Sequence, residues 1–278
     1  ALPEVSEDGL TYTFRLRSGL HFQDDPCFVS TAGRGREVTA GDFAYSIKRI
    51  ADARNASPGW WAFDRRIQGL NEFRQASRDG ERTDYDQAVP GLEVVDRHTL
   101  RLHLTEPYPQ LLWVLALHYG AVVPREAVEY YGDRFGRHPV GTGPYRLVEW
   151  NPNYRLVFAR NPGWVEHGRR EVYPKTGEPG DAERGLLADA GQPIPFVDRI
   201  VASVVADSAT QWMMFLGGLL DESDISRDNW SVVLDENRNL APELRARGVQ
   251  LSVLPQLRIT YIGFNADDPV VGTNVMLR

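Results

Sequence analysis

The chain has 278 residues, 42% hydrophobic and 25% charged, with a formal net charge of −7 and a sequence pI of about 5.4. That is enough for one large or two ordinary domains with ample core. No apolar run approaches the roughly 18 residues of a membrane-spanning helix, the acidic balance argues against nucleic acid as a partner, and the lone Cys27 excludes an internal disulfide and a Cys-rich zinc site.

In chain order, Ala1-Leu2-Pro3-Glu4 do not read as a signal peptide. Thr11 to Arg17 alternates, with Tyr12, Phe14 and Leu16 on one face, which predicts a half-buried strand that opens the sheet. Thr39 followed by Asp42 resembles a capping box, and Phe43, Ile47 and Ile50 then share one helical face. Residues 75–87 (QASRDGERTDYDQ) are polar and predict a surface loop. Thr99 to Leu104 repeats the alternation with Leu100, Leu102 and Leu104 inward, so the first third is expected to be an α/β unit with antiparallel pairing.

Pro124 opens a second helix, with Val128 and Tyr131 on one face and Gly132 near its end. Tyr145 to Trp150 and Tyr154 to Arg160 predict a hairpin around Asn151-Pro152-Asn153. Residues 166–195 are rich in Gly, Pro and charge and predict a long surface loop or insertion. Arg199 to Val205 predicts a strand. Asp207 or Ser208 can cap a helix whose apolar side carries Trp212, Phe215, Leu216 and Leu219. A helix from Ala241 to Arg247 stops at Gly248, and Val249 to Leu254 and Ile259 to Phe264 predict two further strands. With little before Thr11 and a Gly/Asn-containing segment before Arg278, the sequence reads as a piece of a longer polypeptide.

Signals for chemistry are few. Gly141-Thr142-Gly143 lacks the third glycine of a dinucleotide fingerprint, since that position is Arg146. It also precedes a strand instead of opening a helix, and Pro144 has no N–H to offer, so a backbone turn fits better than a phosphate cradle. The six histidines (His21, His98, His103, His118, His138, His167) show no His-x-x-x-His spacing with an adjacent Glu and read as surface residues. There is no Gly-x-Ser-x-Gly elbow. Asp221-Glu222-Ser223-Asp224 lacks the central glycine of a calcium loop, so a solvated helix end is the expected reading and no metal is assigned. Trp60-Trp61 are more informative. Neighbouring side chains cannot both face one core, so one of the pair is expected at the core and the other at a groove, a domain contact or a ligand. Tyr261, in an alternating stretch, invites the same two readings.

Five segments together resemble a family: SEDGLTYTFRLRSGLHF (6–22), REVTAGDFAYSIKRI (36–50), DRHTLRLHLTEPYPQLL (96–112), HPVGTGPYRLVEW (138–150) and YIGFNADDPVVG (261–272). Their order and spacing resemble the family 5 extracellular solute-binding proteins of ABC importers, which include the oligopeptide- and dipeptide-binding proteins. The resemblance implies a mixed α+β architecture: part of a type II periplasmic-binding-protein-like lobe over 124–278, a small α/β accessory domain over 1–123, and a second lobe lying outside this chain.

The function implied is capture of peptides in a cleft between two lobes and delivery to a membrane permease. No cofactor or enzymatic chemistry is implied, and the location is periplasmic or extracytoplasmic, with a lipid anchor as one form. Partners implied are a peptide or other small solute and the permease subunits, with the protein itself a monomer. The ligand candidates that the resemblance carries over are Trp60, Trp61 and Phe63 in the accessory domain, Ser226, Arg227 and Asp228 after the acidic segment, and Tyr261. Nickel complexes, sugars and opines remain alternative solutes, and a solute-sensing domain of a regulator or a carboxylate-pair hydrolase remain alternative classes. With the second lobe outside it, this chain alone is expected to bind weakly or not at all.

Overall fold

Antiparallel alternation accounts for the first sheet. The computed structural model describes residues 2–166, 171–253, 260, 262–270 and 272. Strand β1 (Glu4–Val5) pairs with β2 (Thr11–Arg15), so the sheet starts one strand earlier than the sequence suggests. Strands β3 (Leu92–Asp96) and β4 (Thr99–His103) complete an antiparallel sheet in the order β1-β2-β4-β3. Tyr12 lies opposite Leu102 and Phe14 opposite Leu100, so one face is apolar throughout. The other face is polar: Glu93 accepts from Arg101 at 3.0 Å and pairs with His103 at 2.6 Å. His98 in turn hydrogen-bonds Glu37 at 3.1 Å, so these two histidines are hydrogen-bonded to carboxylates and not plain surface residues.

Helix α1 (Ala40–Ala51) lies on the apolar face and begins with the expected capping box, Thr39 N–H donating to Asp42 at 2.8 Å. Asp42 also takes a bidentate pair from Arg36 (2.7 and 2.9 Å), whose guanidinium reaches on to Glu126. Glu126 belongs to the helix over Arg125–Tyr131, so this arginine ties two helices together. Helix α2 (Leu70–Asp79) corrects the expected loop at 75–87: the segment is helical as far as Asp79 and irregular only beyond it. Leu70, Phe73 and Ser77 form its buried stripe, and a polar solvent face masked that sparse pattern. Helix α3 (Leu111–Ala116) buries Leu111 and Val114 in the same core, and α4 (Arg125–Tyr131) follows Pro124 as expected.

The chain divides into two compact units, 1–204 and 205–278. The first unit also holds strands β5 (Tyr145–Asn151), β6 (Arg155–Arg160) and β7 (Arg199–Ser203), an antiparallel sheet in that order, with Asn153 at φ +62° in the hairpin turn. Helix α5 (Pro162–Glu166) follows β6. The expected loop after it is irregular where described, and an isolated bridge between Val172 and Pro193 closes its stem.

In the second unit, α6 (Ser208–Leu216) is capped by Asp207, which accepts from the Thr210 N–H at 2.6 Å. Helices α7 (Trp230–Val233) and α8 (Pro242–Ala246) follow, and Gly248 sits at φ +79° beyond the last of them. Trp212, Val233, Leu240 and Leu244 form its buried cluster, with Phe215 and Leu216 packed on it. Leu219, assigned to the helix's apolar side from sequence, lies past the helix end and is exposed. The two expected strands at 249–254 and 259–264 are corrected where described: residues 249–253, 260 and 262–264 carry no strand. Alternation specifies a face, but a strand also needs a hydrogen-bonded neighbour, and none pairs with these residues among those described. Residues 254–259 and Tyr261 lie outside the described residues.

Candidate functional site

The turn before Trp60-Trp61 resolves the double-tryptophan question. The Gly59 N–H donates to Ser57 Oγ at 3.3 Å, and a 3-10 turn runs from Trp60 to Ala62. That turn sends alternate side chains in different directions. Phe63 and Ala62 are fully buried in the sheet–helix core. Trp60 is half-buried against the same core, and the Arg74 guanidinium lies 4.6 Å from its ring centroid, a cation–π contact. Trp61 points outward and is 62% exposed. One tryptophan therefore anchors the turn while its neighbour is presented to solvent, and Phe63 is core, sealed away from any direct contact.

Gly59 is required here by close approach. A Cβ at this position would stand 2.3 Å from Cδ1 of Tyr119, so the turn rests on that ring. Tyr119 belongs to a short 3-10 turn after α3, where the His118 and Tyr119 ring centroids are 3.9 Å apart and His118 is exposed. Tyr119 also lines an apolar cavity of about 140 Å³ with Phe14, Leu102, Ile47 and Leu115. The sequence reading missed Tyr119 and His118. Only the tertiary contact with Gly59 brings them beside the tryptophans, and no local pattern encodes it.

A larger groove, about 530 Å³, lies over α1 and α4 between Arg36, Lys48, Tyr45 and Arg125. None of the sequence-predicted site residues lines it. Its cations are already engaged: Arg36 with Asp42 and Glu126, Lys48 with the carbonyls of Tyr85 and Gln87, Arg125 with Asp86 and Glu129. The Arg36 guanidinium holds the Glu126 carboxyl below its ordinary value, and burial pulls Lys48 down. With its charges paired internally, this groove is a strut between helices.

Ser226 precedes a 3-10 turn over Arg227–Asn229 in the second unit. Arg227 and Asp228 are exposed, whereas Ser226 Oγ and Asn229 Nδ2 are buried atoms without a hydrogen-bond partner among the described residues. Orphaned buried polar atoms are uncommon, which adds Asn229 to the sequence-derived candidates. The Gly141-Thr142-Gly143 segment uses its carbonyls: Gly141 C=O accepts from Gln23 N–H at 2.8 Å and Gly143 C=O from Asn161 Nδ2 at 2.9 Å. It is a structural lead into β5, in keeping with the turn reading. Among the described residues no cluster of three His, Cys, Asp or Glu side chains is placed to hold a metal, and no helix is long and apolar enough to cross a membrane.

The fold is of the type II periplasmic-binding-protein kind. It superposes on Listeria monocytogenes OppA bound to peptide with a TM-score of 0.58 at 19% identity, covering 82% of this chain and 37% of that one. The periplasmic oligopeptide-binding protein OppAIV of Borrelia burgdorferi gives a TM-score of 0.56 at 23% identity, covering 79% and 36%. Residues 1–278 match the family described as bacterial extracellular solute-binding proteins, family 5 Middle, and the chain belongs to that family. The glutathione-binding protein GsiB of Escherichia coli O1:K1 is 25% identical over 261 residues, which is 94% of this chain and 38% of the relative. The chain thus spans well under half the length of the curated relatives it matches.

Proposed function

We propose that this chain is part of the substrate-binding component of an ABC importer, which captures short peptides extracytoplasmically and hands them to a membrane permease. The observation that carries this reading is the family match along the whole chain, 1–278. The named relatives are binding proteins for glutathione and for peptides, so short peptides, beginning with glutathione-sized ones, are the solute class to test first.

On this reading residues 1–123 are an accessory domain and 124–278 part of a ligand-binding lobe. Trp61, presented by the Trp60-anchored turn, is the aromatic contact, and Ser226, Arg227, Asp228 and Tyr261 are the lobe's contributions. Phe63 supports the turn from within the core. Binding needs no covalent step. A solute that contacts the closed state better than the open one shifts the population toward closure by that difference in affinity. Exposed aromatic surface gives sequence-tolerant affinity, and backbone hydrogen bonds recognise a peptide whatever its side chains.

Native mass spectrometry of the full-length protein from the complete reading frame, before and after mild denaturation, tests this. Release of a ladder of short-peptide masses is the expected result. A single non-peptide mass would replace peptide with that solute. An empty protein that also ignores a di- to pentapeptide library would remove the peptide reading.

A further inference from the structure

The sheet of β5, β6 and β7 carries a charged row that the site above does not use. Arg146 on β5 lies opposite Ala159 on β6, and Ala159 lies opposite Arg199 on β7. Residues paired across an antiparallel ladder point to the same face. Two guanidinium side chains therefore flank a single methyl group, from backbones two strand spacings, roughly 10 Å, apart. Both are long enough to close over Ala159.

The carboxylate on that face is already taken. Glu149, opposite Val157, is held by Arg155 through two hydrogen bonds of 2.8 and 3.0 Å. Asp198 pairs with Arg160, whose place next to Ala159 along β6 puts it on the opposite face. Among the described residues Arg146 makes no side-chain hydrogen bond or ion pair, and its Nε is sealed from solvent without an acceptor. The Arg199 side chain is exposed and, among the described residues, has no hydrogen-bonded partner either, although its charge adds to the Arg155 hydrogen bonds in keeping the Glu149 carboxyl low.

Left so, two like charges share one sheet face across a single intervening strand, and a buried donor goes unmade. One anion between them removes both costs. We propose that Arg146 and Arg199 form a carboxylate-binding site on this face of the sheet. The donors are two planar forks, which match a planar two-oxygen acceptor. The backbone N–H groups of the central strand are spent in the ladders, so none stands ready for the third oxygen of a phosphate.

The carboxylate has two sources. It belongs either to the captured solute, and in that arm the inference rests on the peptide-receptor reading, or to an Asp or Glu side chain elsewhere in the full-length protein. Nitrogen-15 NMR of arginine Nε–H groups in the full-length protein decides, with succinate as the probe at pH 7. The Arg146 signal is assigned by its loss in Arg146→Gln, and both variants are first checked for native thermal unfolding.

A saturable shift with succinate, weakened at least tenfold in Arg199→Gln, supports the solute arm. A signal already protected from solvent exchange without ligand, silent to succinate and unprotected in Arg199→Gln, supports the internal arm. A freely exchanging signal that drifts linearly with succinate, equally in Arg199→Gln, overturns the site. Succinate is not a peptide, so this outcome is independent of whether peptides are released from the native protein. If both hold, free peptides should bind more tightly than their C-terminal amides, and the difference should vanish in Arg146→Gln.

Discussion

Residues 4–123 and residues 205–253 bury apolar surface on very different scales. In the former, a continuous cluster runs from Tyr12 through α1, α2 and β4 to Val114, with Phe63, Leu70, Leu104 and Leu111 fully enclosed. In the latter, Trp212, Val233, Leu240 and Leu244 form a small cluster among short helices, while Met213, Val232 and Val253 remain largely exposed. The contrast teaches where rigidity is available. The turn that presents Trp61 is built on the large core, so its pose is fixed by packing. The Ser226–Asn229 turn stands on a light one and, among the described residues, leaves Ser226 Oγ and Asn229 Nδ2 unsatisfied, so less packing fixes its pose.

The largest expected effect tests the large core. Phe63→Ala should destabilise the protein by about 3–5 kcal/mol, because it removes an enclosed ring and leaves a cavity. Urea unfolding checks this, and a loss below about 1 kcal/mol would mean the cluster is not the scaffold described.

Next comes the helix strut. Asp42→Ala removes a capping box and a bidentate arginine contact together, for an expected loss of about 2–4 kcal/mol. The same strut gives a pH signature. Arg36 depresses the Glu126 carboxyl from its ordinary 4.5, so its contribution is complete above that value. It is lost as pH falls through the lower folded-state value. Urea midpoints should drop between pH 5 and 3, and Glu126→Gln should flatten that part of the profile.

Gly59→Ala sharpens the comparison at the site itself. The added methyl meets the Tyr119 ring, and overpacking of this kind costs about 1–3 kcal/mol. Solute affinity should fall with it, and Gly59→Ala combined with Tyr119→Ala should recover most of the stability. In the lighter region Asp207→Ala should cost about 1 kcal/mol of local stability at α6, visible as faster amide exchange in residues 208–212 with little change elsewhere.

The smallest stability effect belongs to Trp61→Ala, within about 0.5 kcal/mol because the side chain is mostly in solvent. Its solute affinity should nevertheless drop about tenfold or more. Equal affinity in this variant would remove Trp61 from the site.

Much of this architecture was legible in the amino-acid order, and the reasons are local. The alternation of β2 and of β4, the Thr39–Asp42 cap, the Asn151–Asn153 turn and the Asp207 cap each arise from residues within a few positions of one another. Period-two alternation and N-cap chemistry leave the chain little choice there. Adjacent tryptophans likewise implied that one would turn outward, and the 3-10 turn decided that it is Trp61. Helix α2 escaped notice because its stripe of Leu70, Phe73 and Ser77 is thin and the rest of it is polar.

What only the tertiary structure decided involves residues distant in sequence. Tyr119 under Gly59, Arg36 bridging α1 to α4, and Arg146 sharing a sheet face with Arg199 join positions 53 to 90 residues apart. No propensity or period encodes such partners. A side chain's neighbours are set by how sheets register and helices pack, and that registration is where a turn of glycine and tryptophan becomes a supported aromatic surface and two ordinary strand arginines become a place for an anion.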